Sequence, residues 1–329
     1  VTMINLQNEL AGANSVAIAG HVRPDGDCVG SCMGLALYLR KYFPELQRTE
    51  VYLESIPESF HFLKDSDTIR DSSEASGAYD VVFVLDCGDR ERLGDSAVLL
   101  DNAKKVVCID HHISNKGFGE VQYIEPQASS TSELIYLILD EEKIDTPIAE
   151  ALYMGIAHDT GVFQYSNCTR RTMEIAGLLM EKGIDFSGIV DRTFFQKTYI
   201  QNQILGRALL ESMMLLDGKC IISAIRKKDM EFYGAGPKDL EGIVSQMRYT
   251  TGVEVAMFLY ETSIQEYKVS LRSNNIVDVS KIASYFGGGG HVRAAGCTMQ
   301  GNIHDVINNL TRHIEKQLEE AEEKQTLKG

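Results

Sequence analysis

The sequence predicts an α/β protein. Its N-terminal domain should carry a largely parallel sheet flanked by helices, followed by a helical connector and a smaller C-terminal α/β domain. Three observations predict this. Through the first half of the 329 residues, short unbroken apolar runs alternate with amphipathic stretches, as strands buried on both faces alternate with crossover helices. From Thr169 to about Leu210 the pattern becomes helical throughout, and beyond it a second set of strand-like runs begins. The length suits two domains of ordinary size, with expected boundaries at 1–190, 191–212 for the connector, and 213–329.

The elements follow in order. Ser15–Gly20 (SVAIAG) reads as a buried strand, then comes the polar segment GHVRPDGDCVGS and a helical stretch, VGSCMGLALYLRKYF. Glu50–Ser55, Asp80–Gly88 and Lys104–His112 read as three more strands. STSELIYLILDEE and TPIAEALYMGIAHDT read as helices, the second with Pro147 in its first turn. RRTMEIAGLLMEKG, DFSGIVDRTFF and YIQNQILGRALLESM continue as helices, and the last suits an interdomain connector. KCIISAIR, GVEVAMFLYE and YKVSLRS read as strands and DVSKIASYF as a helix. After GGGGHVRAAGCTM comes a terminal helix whose charged end is a solvated face.

Composition narrows the class. The apolar fraction of 44% is normal for a protein with a real core. No stretch approaches the roughly 20 apolar residues of a membrane span, and the N-terminal run lacks the basic region of a secretory signal. A cytoplasmic protein is expected. Seven scattered cysteines with no C-x-x-C pair read as small core residues in a reducing compartment. Cys28 and Cys32, one helical turn apart, are the pair with metal or redox potential. A net charge of −15 argues against coating long duplexes. It leaves room for a small anionic substrate, because bound divalent cations can supply positive charge.

Five of the eight histidines stand in or beside short acid- or glycine-rich motifs: His21, His111, His112, His158 and His291. A turn accounts for Pro24 and Gly26, but not for His21, Asp25 and Asp27 within seven residues. Asp86 and Asp110–His112 also follow strand-like runs, where sites form in open α/β sheets. Asp159 ends a helical run in MGIAHDTGVF, where a helix-end turn is the plainer reading. GGGG before His291 suits either a flexible loop or a backbone nest that lets a phosphate approach closely.

Taken in order, these segments resemble the DHH phosphoesterase superfamily. HVRPDGDCVGS matches its first motif, Asp86 in VLDCGD its second, DHH at Asp110–His112 its third and HDTGVF its fourth. GGGGHVRAAG (Gly287–Gly296) resembles the signature of the DHH-associated C-terminal domain. Length and layout look most like the bacterial nanoRNase group, oligoribonucleases that also dephosphorylate 3′-phosphoadenosine 5′-phosphate.

The resemblance implies two divalent ions. His21, Asp25 and Asp86 would hold one, and Asp27, Asp86, His111 and Asp159 the other. Mixed carboxylate and imidazole ligands favour manganese, and two such ions can activate a water and clamp the scissile phosphate. His112 would contact or protonate phosphate oxygens, with Asp110 orienting it. Arg272, Gly288, Gly289 and His291 become the candidates for contacts to the substrate. Arg293 is left open between substrate contact and surface charge, and His158 between tuning the second ion and filling space.

The implied partner is short RNA or a small nucleotide, with neither long duplex nucleic acid nor membrane, and a homodimer is left open. Linear and cyclic dinucleotides suit the same motifs. A manganese-type inorganic pyrophosphatase shares HxxPDxD and DHH, but should close a basic lid that KVSLRSNN supplies only in part. A non-catalytic nucleotide-binding regulator would need a lost ligand, and every expected ligand type is present.

Overall fold

The computed structural model describes residues 4–326. The chain divides after Gln196 into two compact units. That division falls inside the stretch 191–212, and the helix Tyr199–Leu210 buries Ile204 and Ala208 in the core of the second unit.

In the first unit the strands are β1 (Ser15–Ala19), β2 (Arg48–Leu53), β3 (Arg70–Asp71), β4 (Tyr79–Leu85), β5 (Ala103–Asp110) and β6 (Val121–Ile124). They form one sheet in the order β3-β2-β1-β4-β5-β6. Every neighbouring pair is parallel. The unbroken run in β4 explains its central place: Val81, Val82, Phe83, Val84 and Leu85 are all buried. Val81, Phe83 and Leu85 pack toward the helices Gly26–Tyr42, Thr131–Ile138 and Thr146–Asp159, while Val82 and Val84 face Leu93 and Leu99. Full burial of each such side chain contributes roughly 1.5–3 kcal/mol.

The four expected strands are present with ends shifted by a few residues. β3 and β6 were not expected, because a short edge strand needs no continuous apolar run. The helix expected from Val29 begins at Gly26. Asp25 caps it, its Oδ1 accepting the N–H groups of Asp27 and Cys28 at 3.1 Å each.

Gly26, Gly30 and Gly34 recur every four residues, so they share one face of that helix. A Cβ at Gly30 would lie 2.4 Å from the carbonyl oxygen of Ala151, and one at Gly34 2.5 Å from Leu152. Gly30 thus lets this helix pack closely on the helix Thr146–Asp159.

The second unit has β7 (Met213–Leu215), β8 (Cys220–Ile225), β9 (Val255–Ser263), β10 (Glu266–Ser273), β11 (Gly289–His291) and β12 (Ala294–Gln300). The sheet order is β11-β12-β10-β9-β8-β7, with β8 and β9 the parallel pair. The glycine run, expected as a loop or nest, contributes a strand: Gly289, Gly290 and His291 pair antiparallel with Gly296, Ala295 and Ala294. Val306, Leu310 and Ile314 of the terminal helix Ile303–Thr326 close one face of this sheet. Among the described residues no helix is long and apolar enough to cross a membrane.

Candidate metal centre

Strand order determines where the first unit's polar residues meet. From β1 the chain moves outward to β2 and β3, then returns beside β1 to build β4, β5 and β6. The carboxyl ends of β1 and β4 therefore flank a topological switch point, where open α/β sheets form their crevice. His21 follows β1, Asp86 follows β4, and His111 and His112 follow β5, which itself ends at Asp110. Asp25 and Asp27 come from the start of one helix and Asp159 from the end of another.

Asp86 lies at the middle of the group. Its Oδ2 is 3.5 Å from His21 Nε2, and its Oδ1 is 3.6 Å from His111 Nε2 and 3.5 Å from His112 Nδ1. Thr131 Oγ1 donates to Oδ1 at 3.1 Å. The backbone of Asp86 is left-handed, with φ 54°, a strain tolerated where the surroundings over-determine it.

His21 Nε2 also lies 3.6 Å from Asp25 Oδ2. His111 Nε2 lies 3.0 Å from Asp159 Oδ2 and 4.0 Å from Asp27 Oδ2. In both rings Nδ1 faces a backbone carbonyl, Val22 at 2.8 Å and Ala128 at 3.3 Å. With Nδ1–H donating there, Nε2 is the nitrogen directed at the carboxylates, the orientation of a ligating imidazole.

Asp27 is fully buried. Two backbone N–H groups at the start of the helix Thr131–Ile138 hold it, from Thr131 at 2.6 Å and Ser132 at 2.8 Å. Ser130 caps that helix through the N–H of Glu133 at 3.0 Å. Gly155 makes room, since a Cβ there would lie 1.9 Å from Ser132 Oγ and 2.9 Å from Asp27 Oδ1.

The charges are unbalanced without a cation. Burial, then Asp86 and Asp159, push the Asp27 carboxyl well above the ordinary range. Burial also raises Asp159 against the opposing bond from His111. Burial lowers His21, but bonds to Asp25 and Asp86 prevail and raise it to about 11. His111 likewise rises to about 10, through Asp159 against burial. Among the described residues, the ion-pair partners of Asp25, Asp27, Asp86 and Asp159 are histidines. Carboxylates packed together with imidazole nitrogens turned inward fit a divalent cation, and no thiolate cage is needed. Asp27, His111 and Asp159 form one group that could hold an ion, and Asp86 shares others with His21 and Cys28 or with His111 and His112.

His112 is held differently. Its Nδ1 lies 2.7 Å from Oδ1 of the buried Asp110. Asn115 Nδ2 donates to Asp110 Oδ2 at 2.6 Å and to the Cys87 carbonyl at 3.2 Å. Burial opposes ionisation of Asp110, but His112 and Asn115 hold its pKa below the usual range, while Asp110 raises His112 against burial.

His158 packs edge-on against Phe60 and Phe194 at ring distances of 5.3 and 5.7 Å. A Cβ on Gly26 would strike its ring at 2.2 Å, and burial lowers its pKa. Space-filling is its visible role.

In the second unit, Arg272 pairs with Ala294, which pairs with His291. Registered residues share a sheet face, so Arg272 and His291 flank the small Ala294 roughly two strand spacings, about 10 Å, apart. Gly288 is needed for packing, because a Cβ there would lie 2.2 Å from the Gly296 carbonyl oxygen, whereas one at Gly289 meets nothing within 4 Å. Arg293 braces the loop after β10, donating to the backbone carbonyls of Val277 at 2.9 Å and Asn275.

Thr131, Ser132, Asn115 and Asn167 were not singled out from the sequence. Asn167 Nδ2 donates to the backbone carbonyls of Ser129 at 2.9 Å and Asp159 at 3.0 Å, tying two site segments together. A signal existed for the first two: Ser130-x-x-Glu133 before an apolar run is a helix-start pattern, and it places free N–H groups at Thr131 and Ser132. The two asparagines lie in loops with no such signature.

Known proteins share sequence and fold with this chain. The model of the DHH family, N-terminal domain, matches residues 15–156, and that of the DHHA1 domain matches residues 217–320. The bifunctional oligoribonuclease and PAP phosphatase NrnA of Bacillus subtilis is 29% identical over 292 residues, 87% of this chain and 90% of the relative. The protein of the same name from Thermus thermophilus is 28% identical over 310 residues, 93% and 91% of the two chains. The crystal structure of an exopolyphosphatase-related protein from Bacteroides fragilis superposes with a TM-score of 0.86 over 94% of each chain, at 24% identity, and shares the fold.

Proposed function

With a DHH family N-terminal domain followed by a DHHA1 domain, the chain belongs to the DHH phosphoesterases, and from this premise we propose that it is a manganese-dependent hydrolase of short oligoribonucleotides and of 3′-phosphoadenosine 5′-phosphate. The observation that carries the reading is the convergence on Asp86 of His21 from one side and His111 and His112 from the other, at 3.5–3.6 Å. The relatives named as oligoribonuclease and PAP phosphatase support the substrate class.

In this reading His21, Asp25 and Asp86 hold one divalent ion, and Asp27, Asp86, His111 and Asp159 hold a second. Ions held there would supply positive charge to the phosphate and lower the pKa of the attacking water. The chain does the rest. The Thr131 and Ser132 N–H groups hold the Asp27 carboxylate in one orientation. Backbone carbonyls fix the tautomers of His21 and His111. His112, with Nδ1 engaged by Asp110, presents Nε2 to a phosphate oxygen and can deliver a proton to the departing sugar oxygen. Arg272, Gly288, Gly289 and His291 are assigned to the nucleotide part of the substrate.

The test incubates the protein and manganese with the linear dinucleotide pApA and follows AMP release, with Asp86→Asn as the blank. Manganese-dependent release lost in the variant is expected. Intact pApA alongside hydrolysed pyrophosphate or cyclic dinucleotide would move the assignment to those substrates. Intact substrates throughout would leave the nucleotide-binding regulator.

A further inference from the structure

We propose that Cys28 makes the His21 side of the centre a second kind of metal site, one that captures thiophilic divalent ions such as cadmium and zinc through thiolate, imidazole and carboxylate together. The inference rests on the assignment of His21 and Asp86 as ligands and concerns what else they can hold.

Cys28, His21 and Asp86 are each buried, and one ligand atom from each lies within 4.8 Å of the other two. They arrive from three places: the first turn of the helix Gly26–Tyr42, the end of β1 and the end of β4. The sequence reserves the space for sulfur. A Cβ on Gly20 would lie 2.3 Å from Cys28 Sγ and 3.3 Å from the Leu85 carbonyl oxygen, so glycine at that position is what admits the thiol between the two strand ends. The helix start is fixed, because Asp25 holds the Cys28 N–H at 3.1 Å. Asp25 Oδ2, 3.6 Å from His21 Nε2, offers a fourth donor on the exposed side.

Hard ions and soft ions use this set differently. Manganese takes carboxylate and imidazole and leaves a thiol alone, whereas thiolate selects zinc and its heavier congener cadmium. Capture forms metal bonds to the Cys28 sulfur, His21 Nε2 and one carboxylate oxygen each of Asp86 and Asp25, and each bond displaces a water ligand from the ion. The thiol proton and the His21 Nε2 proton leave to buffer. No oxidant or reductant is involved. A four-donor protein set closes the coordination that catalysis needs open, so such ions would occupy the centre without supporting it.

The experiment reads the thiolate-to-cadmium charge-transfer absorption of the full chain in the ultraviolet. A Cys168→Ala background removes the half-exposed cysteine. One equivalent of cadmium is expected to give the band, and Cys28→Ala or Cys28→Ser on that background to abolish it. Cadmium affinity should then fall at least about tenfold, as for loss of a ligand or its support. Cys32→Ala should leave the band in place. Manganese binding, followed by loss of the free-ion electron paramagnetic resonance signal, should change less than about twofold in Cys28→Ala, since manganese does not use sulfur. Circular dichroism confirms that each variant is folded. A band that survives both Cys28 substitutions, or bound cadmium with no band in the parent, overturns the proposal. Failure of the parent to bind manganese overturns the assignment of the centre instead, whatever cadmium does.

Discussion

His112 Nδ1 lies 2.7 Å from Oδ1 of the fully buried Asp110, whose other oxygen is taken by Asn115 at 2.6 Å. The imidazole is thus fixed through one nitrogen, and Nε2 is the atom available for substrate. Asp110→Asn should lower kcat on pApA about 10–100-fold, the usual cost of losing such support, with manganese affinity unchanged. Asp110 also raises the His112 pKa. A proton donor works below its pKa, so the alkaline limb of the kcat profile should move to lower pH in the variant. An equal loss of manganese affinity and kcat would place Asp110 among the groups that hold the ion.

The raised pKa values of His21, about 11, and His111, about 10, mean that both rings are protonated near pH 8 in the ion-free protein. A divalent ion must displace those protons. Manganese uptake at pH 8 in weak buffer should release about two protons per chain, one from each ring, and affinity should rise with pH up to about 10. Fold stability has the opposite sign. Groups whose folded pKa exceeds the unfolded value of about 6.5 stabilise fully below it and lose that contribution as pH rises through the folded value. Thermal melts of the ion-free protein should therefore show a falling Tm between pH 7 and 11. A pH-indicator titration that detects no proton release would show neutral rings before the ion arrives.

What the sequence made legible follows from where chemistry is local. Unbroken apolar runs gave the four inner strands, and HVRPDGD, VLDCGD, DHH and HDT each carried their ligand types within a few residues. Their convergence depends on strand order, which no local pattern encodes, and β6, with Gln122 exposed in VQYI, has no run to read. The glycines before His291 were ambiguous because glycine permits loop, nest and strand alike. Only pairing with Ala294–Gly296 decides. Asn115 and Asn167 act through side-chain hydrogen bonds across loops, a relation without period or spacing.

Gly30 and Gly155 were visible as glycines but not as contacts. Alanine at Gly30 would push the Ala151 carbonyl from 2.4 Å, and alanine at Gly155 would strike Ser132 and Asp27. Each should cost about 1–3 kcal/mol, as overpacking does, read as a lower Tm. Gly155→Ala should also weaken manganese binding, because it displaces Asp27. Gly177, in the helix Arg170–Glu181 with nothing within 4 Å of its Cβ position, is the control. Alanine there should stabilise by about 0.5–1 kcal/mol through helix propensity. Equal effects at Gly177 and Gly30 would remove helix packing as the cause.

Gly288 and Gly289 separate a structural need for glycine from a substrate's need for it. Both stand before His291 in an exposed hairpin. At Gly288 the missing side chain is required by the protein, since a Cβ would lie 2.2 Å from the Gly296 carbonyl and 2.5 Å from Cys297. Gly288→Ala should therefore lower Tm, by about 1–3 kcal/mol of stability. At Gly289 nothing in the protein lies within 4 Å, so Gly289→Ala should stay within about 0.5 kcal/mol of the parent. If the backbone there receives a phosphate, the added methyl obstructs it. KM for pApA should rise about tenfold with kcat nearly unchanged, the signature of lost binding common to ground and transition states. Arg272→Ala should act in the same direction, because its side chain shares the sheet face of His291. An unchanged KM at Gly289 with a raised KM at Arg272 would confine substrate binding to the side chains and leave the glycine run a purely structural device.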